Sequence, residues 1–368
     1  MIISGTTIHQ MRIETAPLSV PDQVITIADA NTLRTVSFDG SRFITGDQNG
    51  NIYVSADGAS WDGEGSTGTK PLMQPLVFDG TYYYGITATA AFYANTPGTT
   101  GTGNLRYSTD LTTWTATTNG NSIIGANAFA TIAYNGGTGG AQYQATAYNS
   151  STGNIVTQIA GAGGAQTGWQ AGIQGLGVAG GPRLNLFGAN RWMIFADDLG
   201  SGGGGSGFGY DTRIYSFPVA NANTNIGDNL NVNEVYNGPA FQDYYVSAAY
   251  GNGIFMATPL RSGGITANAV LTSTDAITWT TSNVASWPTN VNATTSLVYS
   301  NNTQTWAMLV RQSPSGLFNG IWVSNNNGNT WSNIAPAGNN TQWWNLAYGT
   351  GKFVAVGANG AVFTASGY

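Results

Sequence analysis

Short apolar stretches alternate with polar ones along the whole chain, and a single phrase punctuates them. It reads Phe38-Asp39-Gly40-Ser41-Arg42-Phe43: a strand end, a tight turn, and a second strand. An aromatic followed by Asp, Asn or Gly is hairpin chemistry, because these residues accept φ > 0 between flanking alternating strands. The phrase returns at Phe78-Asp79-Gly80, Tyr134-Asn135-Gly136, Phe187-Gly188-Ala189-Asn190, Tyr250-Gly251-Asn252-Gly253, Tyr299-Ser300-Asn301-Asn302 and Tyr348-Gly349-Thr350-Gly351. Its spacing, about 52 residues, is that of a four-stranded propeller blade. The pattern predicts an all-β fold, a single seven-bladed β-propeller of four-stranded blades over residues 22–368, preceded by an N-terminal arm at 1–21.

The ends of the chain carry a complementary signal. The last repeat has material for three strands, at Trp344–Tyr348, Lys352–Val356 and Ala361–Thr364, and then stops. A spare alternating segment, Val24-Ile25-Thr26-Ile27-Ala28, lies before the first repeat. An N-terminal strand completing the C-terminal blade would close the ring and remove its open edges.

Charged residues are 8% of the chain, with a net charge of −6, against roughly 25% in an ordinary globular protein. There is no basic footprint for nucleic acid. Polarity comes from Asn, Thr, Ser and Gln, which suits a surface insensitive to salt and pH. The 11 Trp, 18 Tyr and 14 Phe argue against disorder, since so much aromatic area can support a packed core. Cysteine is absent, so neither disulfides nor thiol chemistry are available. No apolar run is long enough to insert in a membrane. The first ten residues have neither a basic start nor an apolar core, so a secretory signal is not expected.

Four turns end in tryptophan: Ser55–Trp61, Ser108–Trp114, Ser273–Trp279 and Ser324–Trp331. They resemble Asp-box (BNR) repeats, whose usual pattern is Ser-x-Asp-x-Gly-x-Thr-Trp. Ser324–Trp331 keeps the full spacing with Asn326 for the aspartate; the other three keep Ser, Asp and Trp and are one residue shorter. The resemblance implies a propeller of the kind found in sialidase-like, sortilin-like and phage tail or virion proteins, and it does not fix an activity. It also implies structural roles for Ser55, Asp57, Trp61, Ser108, Asp110, Trp114, Ser273, Asp275, Trp279, Ser324, Asn326 and Trp331. Such Asp side chains accept backbone N–H groups in their own turn.

Catalytic constellations are hard to assemble. A sialidase would need three arginines, a Tyr–Glu pair and an acid/base Asp; Arg42, Arg106, Arg191 and Arg213 fall in strands. The three glutamates, Glu14, Glu64 and Glu234, do not fall on inner strands. No facing carboxylate pair can be assigned for glycoside hydrolysis. The single histidine, His9, lies in the arm and excludes a Ser-His-Asp triad on the ring. Asp197, Asp198 and Asp211 flank a glycine loop and could offer oxygens to Ca²⁺, but solvated loop carboxylates are favoured and no cofactor or metal is expected. Aromatics near loops are the remaining candidates: Tyr82, Phe92, Tyr93, Phe208, Tyr210, Trp287, Trp343 and Trp344, of which Tyr82 and Trp344 are read as core and Phe92, Tyr93, Phe208 and Tyr210 as ligand residues.

These features together lead to the expectation of a non-enzymatic structural protein of a virion, associated with a phage tail or fibre and active in host attachment. Its loops would bind host-surface carbohydrate, and its arm would dock on other virion proteins. The alternatives are an extracellular lectin and, less favoured, a sialidase-like hydrolase. Long inserts between second and third strands, near 86–103, 196–211 and 257–269, mark the face where recognition is expected.

Overall fold

The computed structural model describes residues 23–28, 30–68, 71–87, 104–117, 128–137, 142–149, 154–160, 170–176, 182–199, 210–218, 233–237, 244–260, 269–283, 291–312, 318–334 and 341–367. The arm at 1–21 lies outside them. The described residues form antiparallel strands, with one 3-10 turn at Ala358–Gly360, arranged as a β-propeller.

Seven hairpins share one construction. The aromatic that ends the first strand faces the aromatic that opens the second, with ring centroids 4.9 Å apart for Phe38–Phe43 and 4.3 Å for Phe78–Tyr83. Tyr134–Tyr143, Phe187–Trp192, Tyr250–Phe255, Tyr299–Trp306 and Tyr348–Phe353 repeat the pair at 4.4–5.0 Å. Such cross-strand pairs fix register, because a slip of one residue would turn every side chain to the wrong face.

The hairpins are distributed over six hydrogen-bonded sheets among the described residues, not the seven separate four-stranded sheets expected. Four sheets, spanning 33–66, 77–116, 128–176 and 182–237, have four strands in chain order. The sheet spanning 244–333 is double: it has eight strands and holds two hairpins. Its halves are joined where Leu260 in Ile254–Leu260 pairs with Ala293 in Val291–Ser300. This long-range pairing corrects the blade count to six blades, one of them double. Strand periodicity reports local alternation and carries no information about such a bridge.

The sixth sheet combines the two ends of the chain. Gln23–Thr26 pairs antiparallel with Ala361–Ser366, from Gln23 opposite Thr364 to Thr26 opposite Ala361. The Ile27 N–H donates to the Gly360 carbonyl at 2.9 Å, and the Gly360 N–H to Asn31 at 2.9 Å.

The first strands of the successive four-strand units lie side by side and form the inner layer. Leu33–Phe38 packs on Trp343–Gly349, which packs on Val291–Ser300, which packs on Tyr244–Gly251; Pro182–Gly188 and Ala128–Tyr134 continue the series. The core is a set of apolar layers between neighbouring sheets. One holds Tyr84, Ile86, Leu105, Phe129 and Ile132, and another Val36, Phe43, Val354, Val356 and Val362. Removing such side chains from water is the main favourable term, roughly 1.5–3 kcal/mol for each large one.

Candidate functional site

Among the expected ligand residues, Phe92, Tyr93 and Phe208 lie outside the described residues. Tyr210 opens the strand Tyr210–Pro218 and is the register partner of Leu199. Asp197 and Asp198 belong to the strand Arg191–Leu199, and Asp211 to the strand after it, with Asp198 opposite Asp211. They are strand positions that flank the connection 200–209. No group of three His, Cys, Asp or Glu able to hold a metal is present among the described residues.

The four tryptophan-ended turns have a common geometry. In the first, the Ala59 and Ser60 N–H groups donate to Asp57 Oδ1 at 2.8 and 2.9 Å, the Ser55 hydroxyl donates to it at 3.1 Å, and Gly58 N–H donates to Ser55 Oγ at 2.8 Å. Thr112 and Thr113 serve Asp110 in the same way, as Ile277 and Thr278 serve Asp275. Asn326 accepts from Thr330 N–H at 2.9 Å and returns a bond from Nδ2 to the Thr330 hydroxyl. The indole N–H of Trp61, Trp114 and Trp331 donates to the carbonyl of Gly58, Leu111 and Gly328, at 2.9–3.0 Å; the Trp279 indole has no such bond.

Charge follows from these bonds. Burial opposes ionisation of Asp57, but the Ser60 and Ala59 amides, the Ser55 hydroxyl and Lys352 outweigh it and hold the carboxyl below its ordinary range. Backbone amides of Thr113 and Thr112 lower Asp110, and those of Thr278 and Ile277 take Asp275 to about 2. Carboxylates held below their ordinary range are ionised, and so poor proton donors, at neutral pH.

Each turn also wedges against the preceding four-strand unit. The residue of left-handed φ is Gly58, Leu111, Ala276 or Gly328. Leu111 and Ala276 are fully buried there, among the side chains of two sheets. At Gly58 and Gly328 the neighbour fills the space instead: a Cβ would lie 2.8 Å from Val354 and 2.7 Å from Met256. The Lys352 ammonium donates to the Asp57 carbonyl at 2.9 Å.

The hairpins carry a second polar device, which sequence reading missed. Asp39 accepts from Ser41 and Arg42 N–H at 2.8 Å, and its other oxygen accepts from the Tyr83 hydroxyl of the next sheet at 2.8 Å. Arg42 bridges Asp39 and Glu64, each at 3.2 Å, and reaches the Tyr83 oxygen at 3.3 Å. Asp79 is bonded by Thr81 and Tyr82 N–H and by the Tyr143 hydroxyl, again from the next sheet. Asp39, Arg42, Glu64 and Tyr83 are the residue types of a glycosidase, but burial raises the Tyr83 and Tyr143 phenols, so both stay protonated and donate. A signal was present in the sequence: the two hairpins with Asp are the two followed by a sheet whose second strand opens with Tyr.

The inner strands share a third feature. Their pairing skips one residue between Leu33 and Thr35, Phe129 and Thr131, Pro182 and Leu184, Tyr245 and Ser247, Thr294 and Ser296, and Trp343 and Asn345. The skipped residues, Arg34, Ala130, Arg183, Val246, Thr295 and Trp344, each stand four places before the hairpin aromatic. A β-bulge leaves its extra residue out of the ladder and re-aims its side chain. Trp344, expected in the core, is partly buried, and the Arg34 guanidinium sits 4.1 Å from its ring centre.

No protein-family model and no curated protein matches the chain. Solved structures do. The chain is similar to YCF48 bound to D1 peptide, with a TM-score of 0.57 and 12% identity over 96% of this chain and 97% of that one. It is similar to the computationally designed Ika8 protein, with a TM-score of 0.54 and 11% identity over 94% and 100%. It is similar to virginiamycin B lyase from Staphylococcus aureus, with a TM-score of 0.57 and 10% identity over 95% and 99%. At such identities these likenesses establish the β-propeller fold and leave activity undetermined.

Proposed function

We propose that this chain is a non-enzymatic structural and receptor-binding protein of a virion, associated with a bacteriophage tail or fibre, that presents propeller loops to host-surface glycans. We also propose that its four tryptophan-ended turns are structural Asp-box turns. The observation carrying the functional reading is the contrast between the locked hairpins and the long connections. First-to-second-strand hairpins such as Asp39–Arg42 are short and locked by hydrogen bonds. Three second-to-third-strand connections are long: 88–103 between Tyr83–Thr87 and Asn104–Ser108, 200–209 between Arg191–Leu199 and Tyr210–Pro218, and 261–268 between Ile254–Leu260 and Ala269–Ser273. Antiparallel order brings all three out at the end away from the hairpins. Two third-to-fourth-strand connections, 161–169 and 219–232, are long at the opposite end, and a rigid scaffold carrying connections of variable length is suited to display. The low charge and amide-rich composition support an exposed surface.

The test shortens each connection to a Gly-Asn hairpin and measures attachment to host cells and glycan arrays. Attachment should fall at least tenfold with all three removed; undiminished attachment would reject loop-borne recognition. Mass spectrometry of purified particles should find the chain in virions, and its presence only in the soluble fraction of a lysate would favour the lectin alternative. Turnover of any member of a glycan panel would reject the non-enzymatic reading.

A further inference from the structure

We propose that the joint between the third and fourth sheets is a built site for internal water, held by the side chains of Gln144 and Asn185. The inference concerns the interior of the ring and goes beyond the function proposed above. It starts from two positions of the repeat. One is the residue after the aromatic that opens each second strand; the other stands two places before the aromatic that ends the next first strand. Across a joint these two positions share one hydrophobic layer. The pairs are Ile44 with Leu76, Tyr84 with Ile132, Met193 with Ala248, Met256 with Leu297, Ala307 with Leu346 and Val354 with Val36. The remaining joint has Gln144 and Asn185. Two positions that are hydrophobic everywhere else in the ring are therefore both amides at this one joint.

The two residues meet across the joint, where Asn185 Nδ2 donates to the Gln144 carbonyl at 3.2 Å. Gln144 is 0% exposed and Asn185 5%. Yet Gln144 Nε2, Gln144 Oε1 and Asn185 Oδ1 are buried without a hydrogen-bond partner. Alternation puts Thr146 on the same face as Gln144, and its buried hydroxyl bonds that of Thr131 at 2.6 Å. Register puts Trp192 on the same face as Asn185, since Asn185 is opposite Ile194 and Phe187 opposite Trp192. The Trp192 indole N–H is buried and unpaired as well. An unbonded buried amide forfeits the hydration of its polar atoms, so such groups are bonded in folded proteins. The chemistry of the unpaired atoms selects the ligand. They are uncharged, with donors on Gln144 and Trp192 and acceptors on Gln144 and Asn185. A metal ion would serve only the oxygens and an anion only the N–H groups, whereas water both donates and accepts.

The experiment combines a high-resolution crystal structure of the full chain with magnetic relaxation dispersion of the water oxygen, which counts long-lived internal waters in solution. An ordered water should lie within hydrogen-bond distance of the Gln144 amide and Asn185 Oδ1. The double variant Gln144→Met/Asn185→Leu restores the hydrophobic pair of the other joints. It should reduce the dispersion amplitude by the equivalent of at least one water and melt no lower than the native chain, because both polar groups go together. Asn185→Leu alone should melt lower, since it leaves Gln144 buried with fewer partners. If the double variant fails to fold, Gln144→Met alone must still lose the water bound at its amide. A direct side-chain bond between Gln144 and Asn185 with no water at either, a cation seated on the two amide oxygens, or an unchanged dispersion amplitude in the variants overturns the proposal. Attachment to host cells should be the same in these variants, so this result and the attachment assay fail independently.

Discussion

The hairpins of the first two sheets and three of the later hairpins solve one contact in two ways. In the first two, the residue after the aromatic is Asp39 or Asp79, and the next sheet meets it with a phenol, Tyr83 or Tyr143. Of the five later ones, two have Asn135 and Ser300 there; in the other three the residue is Gly188, Gly251 or Gly349, and the next hairpin lays an aromatic ring on the bare backbone. A Cβ there would be 2.5 Å from Tyr250, 2.1 Å from Tyr299 and 2.3 Å from Phe38 respectively. The last of these contacts joins the last hairpin to the first. A carboxylate demands a donor, whereas a glycine demands a surface to cover it. The choice at one position therefore constrains a residue dozens of places away, and the repeat can drift in sequence while its geometry holds.

The largest expected effect comes from breaking the close-packed kind. Gly251→Ala should destabilise by roughly 3 kcal/mol, the upper part of the usual range for overpacking, because the added Cβ would overlap the root of the Tyr299 side chain at its Cβ and Cγ. Urea unfolding checks this, and a loss below about 0.5 kcal/mol would mean that the interface is looser than described.

Breaking the polar kind should cost less. Asp79→Ala leaves the Thr81 and Tyr82 amides and the Tyr143 hydroxyl without their acceptor, for a loss of about 2 kcal/mol. In a double-mutant cycle with Tyr143→Phe the two losses should be coupled by at least about 0.5 kcal/mol. Strict additivity would show that the bond between sheets contributes nothing.

A turn that closes on itself sharpens the contrast. Asp57 is satisfied within its own turn, so Asp57→Ala should lower stability by about 1 kcal/mol and leave any ligand binding unchanged. Lost binding with an unchanged melting curve would reassign the turn as a site.

The smallest effect is a difference in acid response. Asp39, Asp57, Asp110 and Asp275 are all held below the ordinary aspartate value of 3.8, Asp275 at about 2. For depressed carboxyls the stabilisation is complete above the unfolded value and lost as pH falls through the folded one. Stability should thus be level above about pH 4 and decline below it. Three of these four groups lie in the first two sheets, which should lose hydrogen-exchange protection before the glycine-jointed ones. Asp275→Asn should flatten part of the decline, because an amide serves the same turn at Asn326 without titrating. Simultaneous opening of all sheets at pH 3 would show that the two kinds of joint do not differ in acid.

The propeller fold, the hairpins and their aromatic pairs were legible in the sequence because they are local: a turn residue needing positive φ and its flanking aromatics are near neighbours in the chain. The Ser–Asp turns were legible for the same reason, since donor and acceptor stand within five residues. The spare strand was visible as well, and Gln23–Thr26 does pair with Ala361–Ser366. Tertiary structure decided the rest. The pairing of Leu260 with Ala293 merges two four-strand units and changes the blade count, yet it alters no periodicity. A bulge adds one residue without changing composition, so Trp344 reads as core until its neighbours in the ladder are seen to skip it. The bonds from Tyr83 to Asp39 and from Tyr143 to Asp79 span 44 and 64 residues, and only the packing of one sheet on the next brings each donor to its acceptor.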